Sequence, residues 1–189
     1  MRRAVFLDRD GTLIELVHHL ADPAKVRLLP RAGQAVKALR DAGFACVLVT
    51  NQSAIGRGLL TVEGLGEVHA EVLRQLAEEG TTVDGHYFCP LEPKQKNPRV
   101  VEHPDRKPGP GMLLRAAREL ELDVGRSFMI GDTLSDLLAG RNAGCQESIL
   151  VRTGYGKDLA DHEGAADHDT EDLWAASRLI LTSGDRGRK

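Results

Sequence analysis

Ala4-Val5-Phe6-Leu7-Asp8-Arg9-Asp10-Gly11-Thr12-Leu13 joins a short uninterrupted apolar run to two acids, a glycine and a threonine. An unbroken apolar run fits a strand buried on both faces, as in a parallel sheet, better than a half-exposed antiparallel strand. Working outward, the same shape recurs. Phe44-Ala45-Cys46-Val47-Leu48-Val49 ends in Thr50, Gly85-His86-Tyr87-Phe88-Cys89 follows Val83, Phe128-Met129-Ile130 ends in Gly131-Asp132, and Ser148-Ile149-Leu150-Val151 ends in Arg152. Between the runs lie helical spacings: Ala35, Val36 and Leu39 before Gly43; Val68, Val72, Leu73 and Leu76 before Gly80; Met112, Leu113, Ala116 and Leu120; Leu134, Leu137 and Leu138 before Gly144. Strands alternating with helices predict an α/β fold, a doubly wound parallel sheet whose ligand site lies at the carboxyl ends of the strands.

The chain has 189 residues, the size of one domain. That domain is expected to span residues 1–183, with a Pro- and charge-rich long loop at 90–110 and a basic tail at 184–189 that frays. Hydrophobic residues make up 41% and charged residues 28%, which excludes a disordered or membrane-embedded chain. Lys plus Arg total 25 against 28 Asp plus Glu, a net charge of -3, so no basic surface for nucleic acid or lipid is expected and anionic ligands must be held locally. Three cysteines are too few for a disulfide framework, and Met1-Arg2-Arg3 leads into no secretory signal, so a reduced, cytoplasmic compartment is expected. The expected partner is a small molecule, with no nucleic acid and no membrane, and the chain is expected to be a monomer.

Asp8 and Asp10 stand two apart where a strand ends, so in extended chain they point the same way. Two such carboxylates repel each other unless a cation or proton lies between them, and an oxygen-preferring divalent ion such as Mg²⁺ also recruits phosphate. Asp132, at the tip of another strand, is free to complete that site, while Asp136 at a helix start reads equally well as a cap. Thr50, Asn51, Gln52 and Ser53 offer hydroxyl and amide donors to phosphoryl oxygens, with the cation of Arg57 close behind. Arg106 and Lys107, at the far end of the long loop, bring two cations to an anion held by the acids.

Asp8-Arg9-Asp10-Gly11-Thr12, Val49-Thr50-Asn51-Gln52-Ser53, Arg106-Lys107-Pro108-Gly109-Pro110-Gly111-Met112 and Gly131-Asp132, in this order, resemble the haloacid dehalogenase superfamily of phosphohydrolases. They are most similar to a capless branch holding heptose-1,7-bisphosphate and histidinol-phosphate phosphatases. The resemblance implies a Rossmann-like core with no large cap domain, Asp8 as a nucleophile that forms an aspartyl-phosphate, and Asp10 as general acid and base. It implies that Thr50 and Lys107 hold the transferring phosphoryl, and that Asp8, the Asp10 carbonyl and Asp132 hold Mg²⁺. The implied activity is a Mg²⁺-dependent phosphomonoesterase of carbohydrate metabolism acting on a sugar phosphate, a heptose 1,7-bisphosphate, with histidinol phosphate as the alternative.

The chain departs from the branch in two places. A structural zinc loop is reduced to Cys89, His103 and Asp105, with Leu91 at the fourth position, and a zinc-free loop stiffened by prolines is the reading favoured. The stretch Ile14-Glu15-Leu16-Val17-His18-His19-Leu20 lacks the usual acidic and glycine-tyrosine pattern, and His18 and His19 read as solvated loop histidines. Two rivals fit less well. A phospho-receiver domain carries adjacent acids and its acceptor on a later strand, where this chain has Cys89; a nucleic-acid 3'-phosphatase needs a basic, aromatic-rich groove that a net charge of -3 and 4% aromatic residues do not supply.

Overall fold

The computed structural model describes residues 1–160 and 164–183; the basic tail lies outside the described residues. Six strands form one all-parallel sheet: β1 (Arg2–Leu7), β2 (Ala45–Asn51), β3 (Gly85–Cys89), β4 (Leu122–Gly131), β5 (Glu147–Val151) and β6 (His168–Thr170), in spatial order β3-β2-β1-β4-β5-β6. The helices are α1 (Ala32–Asp41), α2 (Ser53–Gly56), α3 (Val62–Glu78), α4 (Gly111–Glu119), α5 (Leu134–Ala143) and α6 (Leu173–Ser183). Among the described residues no cap domain is inserted between strands, and 90–110 carries no helix or strand.

The continuous apolar strands explain the layering. On β1, Val5 and Leu7 pack into one core with α1, α3 and α6, whereas Ala4 and Phe6 pack into a second with α4 on the opposite face. Alternate side chains thus feed two cores, which is why the run needs no polar interruption. The long helix α3 supplies a matching stripe: Leu65, Val68, Val72 and Leu76 are buried on it, and its start is capped by Thr61 Oγ1 accepting from Gly64 N at 3.0 Å. Gly144, at φ 85°, closes α5 in the left-handed region.

Two elements differ from the sequence expectation. β4 starts at Leu122, six residues ahead of its apolar run, and its register against β1 shifts between Arg3 and Val5. At that break the Ala4 amide donates to Ser127 Oγ at 2.8 Å, so a buried side chain replaces the missing ladder bond. The edge strand β6 is His168-Asp169-Thr170, three half-polar residues without any apolar signal.

The chain order of the strands reverses between β1 and β4, and the crevice outside their carboxyl ends is where a doubly wound sheet binds its ligand. Asp8 follows β1 and Asp132 follows β4, each on one side of that crevice.

Candidate active site

A cleft of about 280 Å³ opens there, lined by Asp8, Asp10, Thr50, Asn51, Gln52, Ser53, Arg106, Lys107, Asp132 and Asp136 with the outer residues Leu16, Val17, His18, His19 and Tyr155. The sheet therefore gathers into one cleft side chains from five separate stretches of sequence. Its size suits a small metabolite.

Lys107 is the pivot. Its ammonium, almost fully buried, donates to Asp8 Oδ1 at 2.6 Å and to the Val49 carbonyl at 2.7 Å, and pairs with Asp136 Oδ1 at 2.6 Å. These three acceptors use all three of its protons. Burial alone would lower the pKa of this ammonium, but the Asp136 and Asp8 carboxylates outweigh burial and hold it above the ordinary lysine value. The backbone carrying it is fixed by Asn51, whose amide donates to the Lys107 carbonyl and accepts from the Lys107 N–H, both at 3.1 Å. Asn51, read from sequence as a phosphoryl donor, has its side chain engaged in placing Lys107.

Asp132 sits in a cradle of glycines. A Cβ on Gly11 would lie 2.2 Å from Asp132 Oδ2, and one on Gly154 would lie 2.1 Å from the same atom and 2.6 Å from the Gly11 Cα. Both glycines also have positive φ, 89° and 50°, so no side chain fits at either position. Tyr155 N donates to Asp132 Oδ2 at 2.8 Å, whereas Asp132 Oδ1 is buried and has no hydrogen-bond partner among the described residues. Asp136 does two jobs: Oδ2 accepts from Thr133 N at 3.0 Å and Thr133 Oγ1 at 2.6 Å, capping α5, while Oδ1 meets Lys107.

Asp8, Asp132 and Asp136 each place a carboxylate oxygen within 4.8 Å of the others, the only such group of potential metal ligands among the described residues. Three carboxylates against one ammonium leave a formal excess of two negative charges, which a divalent cation would cancel. The donors are all oxygen and Asp132 Oδ1 is unsatisfied, so the residues fit a hard ion such as Mg²⁺. Without a cation, burial and mutual repulsion favour the neutral carboxyl form of two of the three. Burial pushes Asp8 up to about 7, with Asp136 and Asp10 adding and Lys107 opposing. Burial followed by the Asp8 and Asp136 charges pushes Asp132 up to about 8.

Asp10 stands outside that cluster. Its Oδ2 accepts from Arg9 Nε at 3.0 Å, Gln52 Nε2 at 2.8 Å and Thr50 Oγ1 at 3.5 Å, and its Oδ1 accepts from Arg9 Nη2 at 3.1 Å. Arg106 lines the cleft and donates to the Leu91 carbonyl at 2.6 Å. Arg57 does not line it, and its guanidinium lies 3.6 Å from Glu92 on the surface. Of the residues left from the zinc loop, Cys89 is buried in the core under α4, within reach of the Asp105 charge, His103 Nδ1 accepts from Asp105 N at 3.1 Å, and the Asp105 carboxylate accepts from Arg115 at 2.8 Å. Sequence reasoning missed the bridging role of Asp136 and the Gly154-Tyr155 support of Asp132. The signal available for the latter was the pair of glycines flanking Tyr155 just after a strand.

The family model described as "HAD-hyrolase-like" matches residues 105–176. Over 190 aligned residues the chain is 38% identical to a D-glycero-D-manno-heptose-1,7-bisphosphate 7-phosphatase of Thermosynechococcus vestitus, covering 96% of each chain. The chain belongs to the haloacid dehalogenase superfamily of phosphatases. A second relative in this superfamily, the D-glycero-beta-D-manno-heptose-1,7-bisphosphate 7-phosphatase of Photorhabdus laumondii, is 43% identical over 80% of this chain and 81% of its own. Among solved structures, a D,D-heptose 1,7-bisphosphate phosphatase from B. bronchiseptica complexed with magnesium and phosphate superposes with a TM-score of 0.85 at 33% identity, covering 96% of this chain and 99% of that one. The fold is thus that of these haloacid dehalogenase phosphatases, and the chain is a phosphatase. No helix among the described residues is long and apolar enough to cross a membrane.

Proposed function

We propose that this phosphatase hydrolyses a heptose 1,7-bisphosphate through an aspartyl-phosphate on Asp8, within one domain spanning residues 1–183. The observation that carries the chemistry is the buried Asp8–Lys107–Asp136 bridge beside an Asp132 oxygen left without a partner. The choice of sugar rests on relatives that match across nearly the whole chain.

Asp8 stands at the tip of β1 with one oxygen held by Lys107, so its other oxygen is the one that attacks phosphorus. Attack forms the Asp8–phosphorus bond and breaks the bond from phosphorus to the sugar oxygen, which leaves with a proton from Asp10. Asp10 then takes a proton from the water that cleaves the aspartyl-phosphate and releases orthophosphate. Lys107, turning one proton from its protein acceptors to the incoming phosphoryl group, and Thr50 would meet the equatorial oxygens, where the transition state spreads its charge. Asp8, Asp132 and the Asp10 carbonyl would hold Mg²⁺, with Asp136 placed to support them. The ion supplies charge neutralisation that lets an anionic carboxylate approach an anionic phosphate. Arg106 at the cleft's outer wall offers a cation to the far end of a bisphosphate.

Phosphate release, followed by ³¹P NMR, from heptose 1,7-bisphosphate, histidinol phosphate and a 3'-phosphorylated oligonucleotide tests the assignment. The bisphosphate should be turned over fastest, with its 7-phosphate lost and its 1-phosphate retained. Preference for histidinol phosphate, or loss of the 1-phosphate, would overturn the substrate assignment.

A further inference from the structure

Arg9 lies between the two acids of the opening motif, yet it is fully buried and is the largest side chain so enclosed. Arginine is seldom sealed inside a protein without a partner, because stripping a guanidinium of water is costly unless another charge replaces it. Here the hydrogen bonds run to Asp10 alone among the described residues. Nε donates to Oδ2 at 3.0 Å and Nη2 to Oδ1 at 3.1 Å while lying 3.0 Å from Oδ2, a two-nitrogen fork that fixes the plane of the carboxylate as well as its place, and Nη1 is buried without a partner among the described residues. The Asp10 side chain keeps 19% of its surface open, toward the cleft that it lines.

The two Asp10 oxygens are not equivalent. Oδ2 accepts from Arg9, Gln52 and, at the limit of hydrogen bonding, Thr50, which fills its capacity, whereas Oδ1 accepts from Arg9 only and keeps a lone pair free. Near enough to feel the Arg9 charge, His69 of α3 stacks on His86 of β3 with ring centroids 3.8 Å apart. Burial, joined by the Arg9 charge, lowers His69 to about 4, and burial with His69 and Arg9 lowers His86 to about 3, so both rings stay neutral and neither competes with Arg9 for Asp10. Arg9 is thus left with one anionic partner.

We propose that Arg9 is the positioning residue of the reaction: its buried fork orients Asp10 so that Oδ1 is the oxygen that gives up and regains the proton. The assignment rests on Asp10 being the acid and base. Arg9 touches neither phosphate nor sugar and acts through Asp10 alone.

A double-mutant cycle on the folded, Mg²⁺-loaded enzyme tests this. Arg9→Met should lower kcat on the sugar phosphate about 10- to 100-fold, the scale of misplacing a catalytic group by an ångström, with KM little changed. In an Asp10→Asn background the same change should cost less than about twofold, because there is no longer a proton-transferring carboxylate to orient. The burst of p-nitrophenolate from p-nitrophenyl phosphate, a leaving group that needs no proton, should fall far less than turnover of the sugar phosphate. Equal losses in both backgrounds, or equal losses in burst and sugar turnover, would overturn the Arg9 role. Should Arg9→Met not fold, Arg9→Lys, which keeps the charge and loses the fork, carries the same cycle and the same criteria. Full turnover by Asp10→Asn alone would instead remove the acid-base reading on which the assignment rests.

Discussion

Replacing Lys107 by Met keeps the volume of the side chain and deletes its charge from the centre of the site. The ammonium is enclosed, with 2% of its side chain exposed, and bridges carboxylates that are themselves 9% and 2% exposed. Its loss leaves Asp8 Oδ1, Asp136 Oδ1 and the Val49 carbonyl without their donor. Removing one member of a buried ion pair typically costs about 3–5 kcal/mol, much of it the penalty on the charges left behind. In a domain of this size each kcal/mol moves Tm by roughly 2–4 °C, so Tm in chelator should fall by roughly 6–20 °C. Mg²⁺ should recover part of the deficit, because a cation bound by the native state alone stabilises it. The kcat should fall by at least about 10²-fold, the scale of removing one preorganised donor from a developing anion. Differential scanning calorimetry with and without Mg²⁺, alongside phosphate release, reads both quantities. A variant within about 2 °C of the parent in chelator, with kcat within tenfold, would refute the bridge as an energetic element.

Activity should vanish in excess chelator and return with Mg²⁺, while Ca²⁺, with its looser coordination, substitutes poorly; unchanged turnover in chelator would contradict the metal reading. Gly154→Ala should drive a methyl into Asp132 Oδ2 and raise the Mg²⁺ needed for half-maximal activity by about 10-fold or more, the scale of disturbing a ligand's support. A titration identical to the parent's would count against the cradle. Acid should destabilise the fold through His69 and His86, whose native values of about 4 and about 3 lie below the ordinary 6.5. The unfolded chain binds their protons first, so their stabilisation is complete above pH 6.5 and is lost as pH falls toward those native values. The variant His69→Leu/His86→Phe should lose about 2 kcal/mol less than the parent between pH 7 and 5, after halving the full effect for partial exposure; urea melts showing equal losses would refute this.

The strands that position the site are legible because they are buried on both faces. Residues 4–7 of β1, 45–49 of β2 and 149–151 of β5 read as unbroken apolar runs, and the polar residues that end them, Asp8, Thr50 and Arg152, mark the carboxyl edge of the sheet. β6 is invisible because an edge strand of three residues buries little and has no pattern to show. The first half of β4 is hidden by Asp123, Gly125 and Arg126, polar or small residues around a register shift. In the site, Asp8, Asp10, Thr50, Lys107 and Asp132 could be picked out because each stands beside a strand end or a recognisable motif. What could not be read were contacts made across the sheet: Tyr155 N on Asp132, Gly11 against Gly154, and the second oxygen of Asp136 on Lys107. Those depend on which strands are neighbours, and the sequence pattern of each run is silent on that. Arg57 shows the converse, since a cation near a donor loop in sequence is drawn off to Glu92 on the surface.

The mechanism stands on Asp8 carrying the phosphoryl group. Acid-quenching the enzyme within the first turnover of ³²P-labelled substrate, followed by peptide mapping, tests it most directly. A hydroxylamine-labile phosphoryl group should appear on the peptide containing Asp8 and be absent from Asp8→Asn. Label on any other residue, or turnover through Asp8→Asn at more than about a hundredth of the parent kcat, would contradict it.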